Sequence, residues 1–420
     1  MVTETTETVG AVVELEVGPV AHGGHCVARH EGRVVFVRHT LPGEHVRARL
    51  TDAVETAKFW RADAVEVLDA SADRVASAWP EAGAGGVGGG ELAHVALPAQ
   101  RAWKQAVLEE QLRRLARDER SVPVHAAPGD DERGGLHWRT RIDLVADAEG
   151  RAGMRGHRSH DVHALTGMPL ATERIEALGL FDRRWTAGAR VEAVAPAGGD
   201  TPVVLLDGAP FDLSRGRVDP RPNARAAVRE EVRRGDAAHT YRVAAAGFWQ
   251  VHREAPGVLV DAVLAGLGDV TGATVLDLYA GAGLFTLPLA DAVADGEVVS
   301  VEGDARAVRD ARRNVHDRPN VELHAGDVAR VLAGTQDADS DVVHADAVVL
   351  DPPRAGAGRR VVDAITALRP ERVVYVACDP AALARDVALF GGAGYGLVDV
   401  QGYDLFPMTH HVEAVAVLSR

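Results

Sequence analysis

The sequence predicts an α/β protein, with a doubly wound parallel sheet in its C-terminal half behind a small β-barrel and an α+β middle region. Three observations carry this. From about residue 236, short apolar runs ending in Gly, Asp or Pro alternate with helical stretches, the pattern of repeated βα units. Residues 9–68 hold several short β-rich runs at the spacing of a closed barrel. Between them, segments around 136–147 and 202–212 alternate apolar and polar residues like half-buried antiparallel strands.

A length of 420 residues exceeds one ordinary domain and divides as 9–68, 69–235 and 236–420. With 46% hydrophobic and 25% charged residues, the chain can bury sizeable cores. The opening MVTETTET has neither the basic start nor the apolar stretch of a secretory signal. Apolar runs such as VLVDAVLAGL are short, and that one carries Asp261, so none suits a bilayer. A cytoplasmic protein without a membrane partner is expected.

In the barrel, VGAVVELEV, GRVVFVRHT, HVRARLTDA and FWRADAVEVL are punctuated by GPVAHGGH and LPGE. Its charged residues between 21 and 61 are mostly basic (Arg29, Arg33, Arg38, Arg47, Arg49, Lys58, Arg61), joined by five histidines. That pattern suits a polyanion-binding face and an ordinary solvated barrel equally. The net charge is −15, so the protein gains little non-specific affinity for nucleic acid; where charge sits matters more than its sum. Nearly all basic groups are arginine, which forks onto phosphate and stacks on bases.

After the barrel, AWPEAGAGGVGGGELAHV has no periodicity and reads as a loop. LPAQRAWKQAVLEEQLRRLARDE follows with helical spacing at Ala102, Ala106, Leu108, Leu112 and Leu115. In the C-terminal half, ATVLDLYAG, EVVSVEGD, ADAVVLDPP and ERVVYVACDP read as strands buried on both faces. Open sheets of this kind bind ligands beyond the carboxyl ends of their strands, where these runs place their polar residues.

Gly281 and Gly283 open the helix after the first of these strands and let backbone approach a ligand. Thr286 stands where a dinucleotide fingerprint has its third glycine. Glu302, at the next strand end, can accept both hydroxyls of a ribose, and Asp327, further on, suits an adenine amino group. Without a phosphate cradle, the three in this order fit S-adenosyl-L-methionine better than a dinucleotide. Asp351-Pro352-Pro353-Arg354 forms a stiff rim beside which a planar base can lie, with Asp351 able to hydrogen-bond it. Arg354, in place of an aromatic residue, argues against attack by an exocyclic amine.

The chain has two cysteines, Cys26 and Cys378, too few for a disulfide framework or a cysteine-ligated cluster. An isolated cysteine is usually a small buried apolar residue. Cys378, however, ends a strand before an Asp-Pro turn, where a thiolate could add to C6 of a uridine and leave an enolate reactive at C5. A base must then remove the C5 proton, and Glu413 precedes the last apolar run. A carboxylate at a strand edge is usually only solvated.

Taken together, these motifs resemble the bacterial uracil-5 RNA methyltransferases, which modify the T-loop uridine of tRNA or uridines of large-subunit ribosomal RNA. FWQVH resembles that family's Phe-Phe-Gln-Val-Asn, ACDPAALARD its nucleophile motif, and DLFPMTHHVEAVAVL its end motif. The resemblance implies an OB-like RNA-binding TRAM barrel at 9–68 and a Rossmann-like class I methyltransferase domain at 236–420. It implies cofactor contacts at Gln250, Tyr279, Gly281, Gly283, Glu302, Asp327 and Asp351. It makes Cys378 the nucleophile and Glu413 the proton-abstracting base, with RNA (rRNA or tRNA) rather than DNA as partner. Many relatives hold an iron–sulfur cluster on four cysteines. Here Trp79, Val87, Gly90 and Met168 stand at those positions, so no cluster is expected, with apolar packing or a loose loop in its place. Arg139, Arg141, Arg155 and Arg158 match the family's RNA-facing segments, though ion pairs with Asp143, Asp147 and Asp161 would account for them equally. Cys26 has no assigned role. A non-catalytic RNA binder of the same fold, or a methyltransferase for another substrate, are the alternatives.

Overall fold

A computed structural model of the chain describes residues 8–156, 159–235, 237–334 and 344–420. Arg158, one of the four arginines above, lies outside the described residues, as does most of the opening MVTETTET.

Five strands, Val12–Ala21, His25–His30, Arg33–Arg38, His45–Asp52 and Phe59–Asp69, close into a barrel in the order first, second, third, fifth, fourth. Alternation drives the closure. Val13, Leu15 and Val17 turn inward and are buried, while Val12, Glu14 and Glu16 face solvent. Cys26 has no exposed surface, and burial pushes its thiol up to about 12, as expected for a packing residue. The basic residues divide into two sets. Arg38 pairs with buried Asp63 at 2.6 Å, Arg47 bridges Glu14 and Glu66, and Arg61 meets Asp52. Arg29, Arg49 and Lys58 are exposed and have no ion-pair partner among the described residues.

The middle region is built on a seven-stranded antiparallel sheet centred on Arg190–Val194, with Arg141–Ala146 on one side and Val203–Leu206 on the other. The alternating segment at 202–212 forms two strands, Val203–Leu206 and Ala209–Asp212. Asp207 and Gly208 turn between them with φ of 50° and 80°, the left-handed pair that an Asp-Gly hairpin turn requires.

The C-terminal sheet has eight strands. Val321–Ala325, Glu297–Glu302, Thr274–Leu278, Ala347–Leu350 and Arg372–Ala377 run parallel in that spatial order. Glu413–Ser419 then pairs antiparallel with Arg372–Ala377, and Gly396–Asp404 follows it. Val348, Val349, Leu350 and Val373 to Val376 have essentially no exposed surface, which is why these runs are apolar throughout.

Two elements cut across the boundaries expected from sequence. Val124–Ala126 leaves the middle region and forms the edge strand beside Gly396–Asp404, carrying the helix Leu97–Gln111 with it. Further on, the hairpin Ala227–Arg234 and Ala237–Ala244 straddles position 235, and its strands pack on the helices Ala255–Leu267 and Ala305–Asn314. Both attachments depend on partners remote in sequence.

Candidate active site

The sheet register assembles the site. Because Ala377 pairs with Ala414, Cys378 and Glu413 emerge side by side at the same end of adjacent antiparallel strands. Leu350 pairs with Leu278 on one side and Tyr375 on the other, so Asp351 emerges beside Tyr279, one strand from Cys378. Glu302 ends the strand beyond Tyr279, and Asp327 follows the strand beyond that. Along this edge the order is Asp327, Glu302, Tyr279, Asp351, Cys378, Glu413.

The first half of the edge is a backbone cradle. Tyr279, Gly281 and Gly283 take φ of 61°, 59° and 93°. For Tyr279 the left-handed conformation costs about 1–2 kcal/mol, a strain typical of ligand-binding turns. A Cβ on Gly281 would meet nothing within 4 Å, so this turn faces open space. The Glu302 carboxylate accepts from Gly281 N at 2.8 Å and from Asp304 N at 2.6 Å, which locks the turn to the neighbouring strand. Each oxygen keeps a second acceptor position. Asp327 is exposed and its carboxylate accepts from Arg330 N at 3.1 Å.

Gln250 is buried on the loop after the hairpin. That loop is fastened by Arg141, whose guanidinium donates to the Ala245 and Gly247 carbonyls and pairs with Glu230, and by Arg306, which donates to the Ala246 carbonyl. Arg141 is therefore a buried structural residue, engaged neither as a surface phosphate contact nor by the acids expected. Arg139 likewise donates to the Arg141 carbonyl. Asp143 pairs with Arg190 and Asp147 with Arg151, while Arg155 is exposed.

The second half of the edge is dense in carboxyl groups. Burial pushes the Cys378 thiol up to about 12, helped by the charges of Glu413 and Asp351 and opposed by Arg354. Burial and Asp351 raise Glu413 well above the usual carboxylate range, again opposed by Arg354. Burial, then Asp277, raises Asp351 to about 7. In this state Cys378 is a thiol, and Arg354 is the cation that offsets the acids. Its guanidinium lies 3.3 Å from His411 Nε2 and can donate to it only if that ring is neutral. Burial, His410 and Arg354 itself hold His411 down to about 3.

Sequence reasoning missed three features here. Asp277, within the first strand, has no exposed surface; its carboxylate accepts from Thr286 Oγ1 at 2.5 Å, and burial raises it to about 7. This explains Thr286 where a third glycine might stand, and the only signal was an acid inside an apolar run. The barrel also reaches the site: His22 Nε2 lies 3.2 Å from Asp379, and a Cβ on Gly24 would come within 3.1 Å of His410. Finally, Phe248 is 74% exposed on the Gln250 loop.

The four positions at which the resemblance implies cluster cysteines do not fit iron. Trp79, Val87 and Met168 are 2%, 3% and 3% exposed in one apolar core. A Cβ on Gly90 would come within 2.6 Å of the Ala82 side chain and 3.0 Å of Trp79. Apolar packing occupies the region, and none of the four residues can supply a thiolate.

Residues 223–420 match the family described as tRNA (Uracil-5-)-methyltransferase, and residues 6–65 match the TRAM domain. An uncharacterized RNA methyltransferase of Streptomyces coelicolor is 45% identical, the alignment covering 99% of this chain and 94% of that protein. One from Bifidobacterium longum is 40% identical, covering 97% and 96%. Among solved structures, the Pyrococcus abyssi tRNA (uracil-54, C5)-methyltransferase in complex with S-adenosyl-L-homocysteine aligns with a TM-score of 0.70. It covers 96% of this chain and 99% of its own at 22% identity, a likeness of fold.

Proposed function

The chain belongs to the tRNA (uracil-5-)-methyltransferase family of RNA methyltransferases, and on that premise we propose that it methylates C5 of a uridine in tRNA or large-subunit ribosomal RNA, using S-adenosyl-L-methionine and a covalent bond from Cys378 to C6. The observation that carries this reading is the strand register that puts Cys378 and Glu413 side by side with Asp351 one strand away.

When bound, the cofactor supplies an electrophilic methyl group on a positively charged sulfur. The turn at Tyr279, Gly281 and Gly283, with Glu302 and Asp327 on the next two strands, is the side of the edge that suits it. Asp351 stands between that side and Cys378 and meets the polar edge of the base. Cys378 gives up its proton to water, and the thiolate adds to C6 while the C5–C6 π pair forms a C4–C5 double bond and the carbonyl π pair moves onto the C4 oxygen. Arg354 is placed to offset that charge. C5 then takes the methyl group. Glu413, which must first lose its own proton to water because burial favours the acid form, then removes the C5 proton as carboxylate, the double bond re-forms and the Cys378 thiolate leaves. The target base must leave its stack for C6 to be attacked, and the exposed Phe248 ring offers it a surface to lie on.

The test is methyl transfer from labelled S-adenosyl-L-methionine to separated tRNA and ribosomal RNA lacking the modification, followed by nucleoside analysis. Label in 5-methyluridine from one fraction is expected and names the substrate class. No label in either, with cofactor binding intact, would overturn the reading in favour of a non-catalytic RNA binder or another substrate.

A further inference from the structure

On the far side of the helix Ala305–Asn314, where its C-terminal end meets the hairpin strands Ala227–Arg234 and Ala237–Ala244, lies an open cleft of about 500 Å³. Arg225, Arg229, Arg242, Arg313 and His316 line it against two aspartates, Asp200 and Asp317. In a chain with 61 acidic and 46 basic residues, four arginines to two aspartates reverses the prevailing balance. No residue of the candidate active site lines this cleft.

Of its two acids, Asp317 is 67% exposed and among the described residues reaches only Arg318, at 3.9 Å, while Asp200 is already committed. Asp200 pairs with Arg225 and also accepts from the backbone of Arg229 at 2.8 Å and Thr201 at 2.8 Å. Arg242 and Arg313 share a single carboxylate oxygen of Asp310, at 3.1 Å and 3.5 Å, and Asp310 also accepts from Ala244 N at 2.7 Å. The Arg229 side chain is exposed and has no ion-pair partner among the described residues. The walls are fixed: Asn314 accepts from Arg242 N at 2.8 Å and donates to the Arg242 and Ala282 carbonyls. The result is a set of four guanidinium forks, three held by Asp200 and Asp310 and the fourth, Arg229, unpaired among the described residues, in a cleft open at the surface. Phosphodiesters are the chemistry that such forks match in shape and charge.

We propose that this cleft binds the ribose-phosphate backbone of the substrate RNA away from the methylated nucleotide. The helix runs from just beyond Glu302 toward the cleft, and its length is about 15 Å at 1.5 Å per residue. The contact is therefore with flanking RNA and adds affinity without touching the reacting base. This rests on the reading of the protein as an RNA methyltransferase.

The experiment measures binding of the full-length protein to unmodified tRNA and to an unmodified ribosomal RNA fragment by fluorescence anisotropy, between about 50 and 200 mM salt. It compares wild type with Arg229→Glu/Arg313→Glu and with Arg229→Ala/Arg313→Ala. Arg114→Glu serves as the control, on an exposed turn near the opposite edge of the sheet. The double Glu variant is expected to bind the preferred RNA about tenfold or more weakly, and its log–log salt slope should fall by about one to two units. The Ala pair should move the same way by less. Single-turnover methyl transfer at saturating RNA should stay within about twofold of wild type, the control unchanged. Unchanged affinity and slope in both double variants, with wild type binding RNA, would overturn the proposal and direct the cleft to an acidic protein segment. An equal loss in Arg114→Glu would overturn it as general charge repulsion. Failure of wild type to bind either RNA would overturn the RNA reading itself, and this inference with it.

Discussion

Two regions of the molecule make opposite demands on their side chains. The carboxyl edge of the eight-stranded sheet keeps a thiol and carboxyl groups where burial opposes their charged forms. At the positions where the resemblance implies cluster thiols, Trp79, Val87, Gly90 and Met168 pack in an apolar region. The difference teaches what each region demands of its side chains. At the sheet edge a residue's position follows from strand register and its use from its chemistry, so no apolar residue can stand in. In the second region shape is enough, because a well-packed set of apolar groups holds the loop without any ligand.

The largest effect should follow from attacking the chemistry alone. Cys378→Ala removes a half-buried sulfur and leaves the cradle at Tyr279 to Gly283 untouched. Turnover should fall on the order of 10³-fold or more, with cofactor affinity unchanged by calorimetry. Glu413→Gln should slow turnover by about 10²–10⁴-fold, and it should also let the methylated RNA adduct on Cys378 accumulate. That species is readable as a protein–RNA band surviving denaturing electrophoresis. Retained turnover in the first variant, or absence of the band in the second, would break the contrast by removing the chemistry from the edge.

The reverse experiment attacks packing alone. Trp79→Ala should cost about 3–5 kcal/mol by denaturant unfolding, since a side chain only 2% exposed leaves a cavity its rigid neighbours cannot fill. The folded fraction should keep the cofactor affinity of wild type. A loss of that affinity would show that the core around Trp79 positions the edge.

A third test uses pH. Asp277 and Asp351 both stand at about 7 in the folded protein against an ordinary value of 3.8, so between those limits the folded state holds more protons than the unfolded one. Stability therefore declines as pH rises through that window. Asp277→Asn keeps a polar partner for Thr286 and removes the titrating group. It should flatten the decline by an amount on the order of a few kcal/mol, measured by unfolding at pH 4 and pH 7. An unaltered slope would mean that the acid is ionised at neutral pH.

Much of this was legible because it is local. An apolar run ending in Asp or Cys announces both a strand and the residue at its tip, so Asp351 and Cys378 could be read without a partner. Glu413 could not, because its meaning depends on pairing with a strand about forty residues earlier; the resemblance, rather than the spacing, supplied it. Val124–Ala126 joined a sheet whose other strands lie far along the chain, and three residues carry no periodicity. Arg141 looked like a surface cation because nothing local shows that Glu230 and two loop carbonyls enclose it. The arginine cleft was equally invisible, being assembled from three separate stretches of chain.

The smallest effect belongs to the seam between barrel and edge. His22 lies 3.2 Å from Asp379, but their side chains are 38% and 24% exposed, so water screens the pair. Asp379 also caps the helix Pro380–Gly392 by accepting from Ala382 N at 2.8 Å, independently of His22. The two contributions are separable by mutation. Asp379→Ala should cost about 1 kcal/mol through the lost cap, whereas His22→Ala should cost less than about 1 kcal/mol, as exposed pairs do. If His22→Ala proved the costlier by denaturant titration, the barrel would be holding the nucleophile's turn in place. The edge would then depend on packing from outside its own sheet, as the region around Trp79 depends on its core.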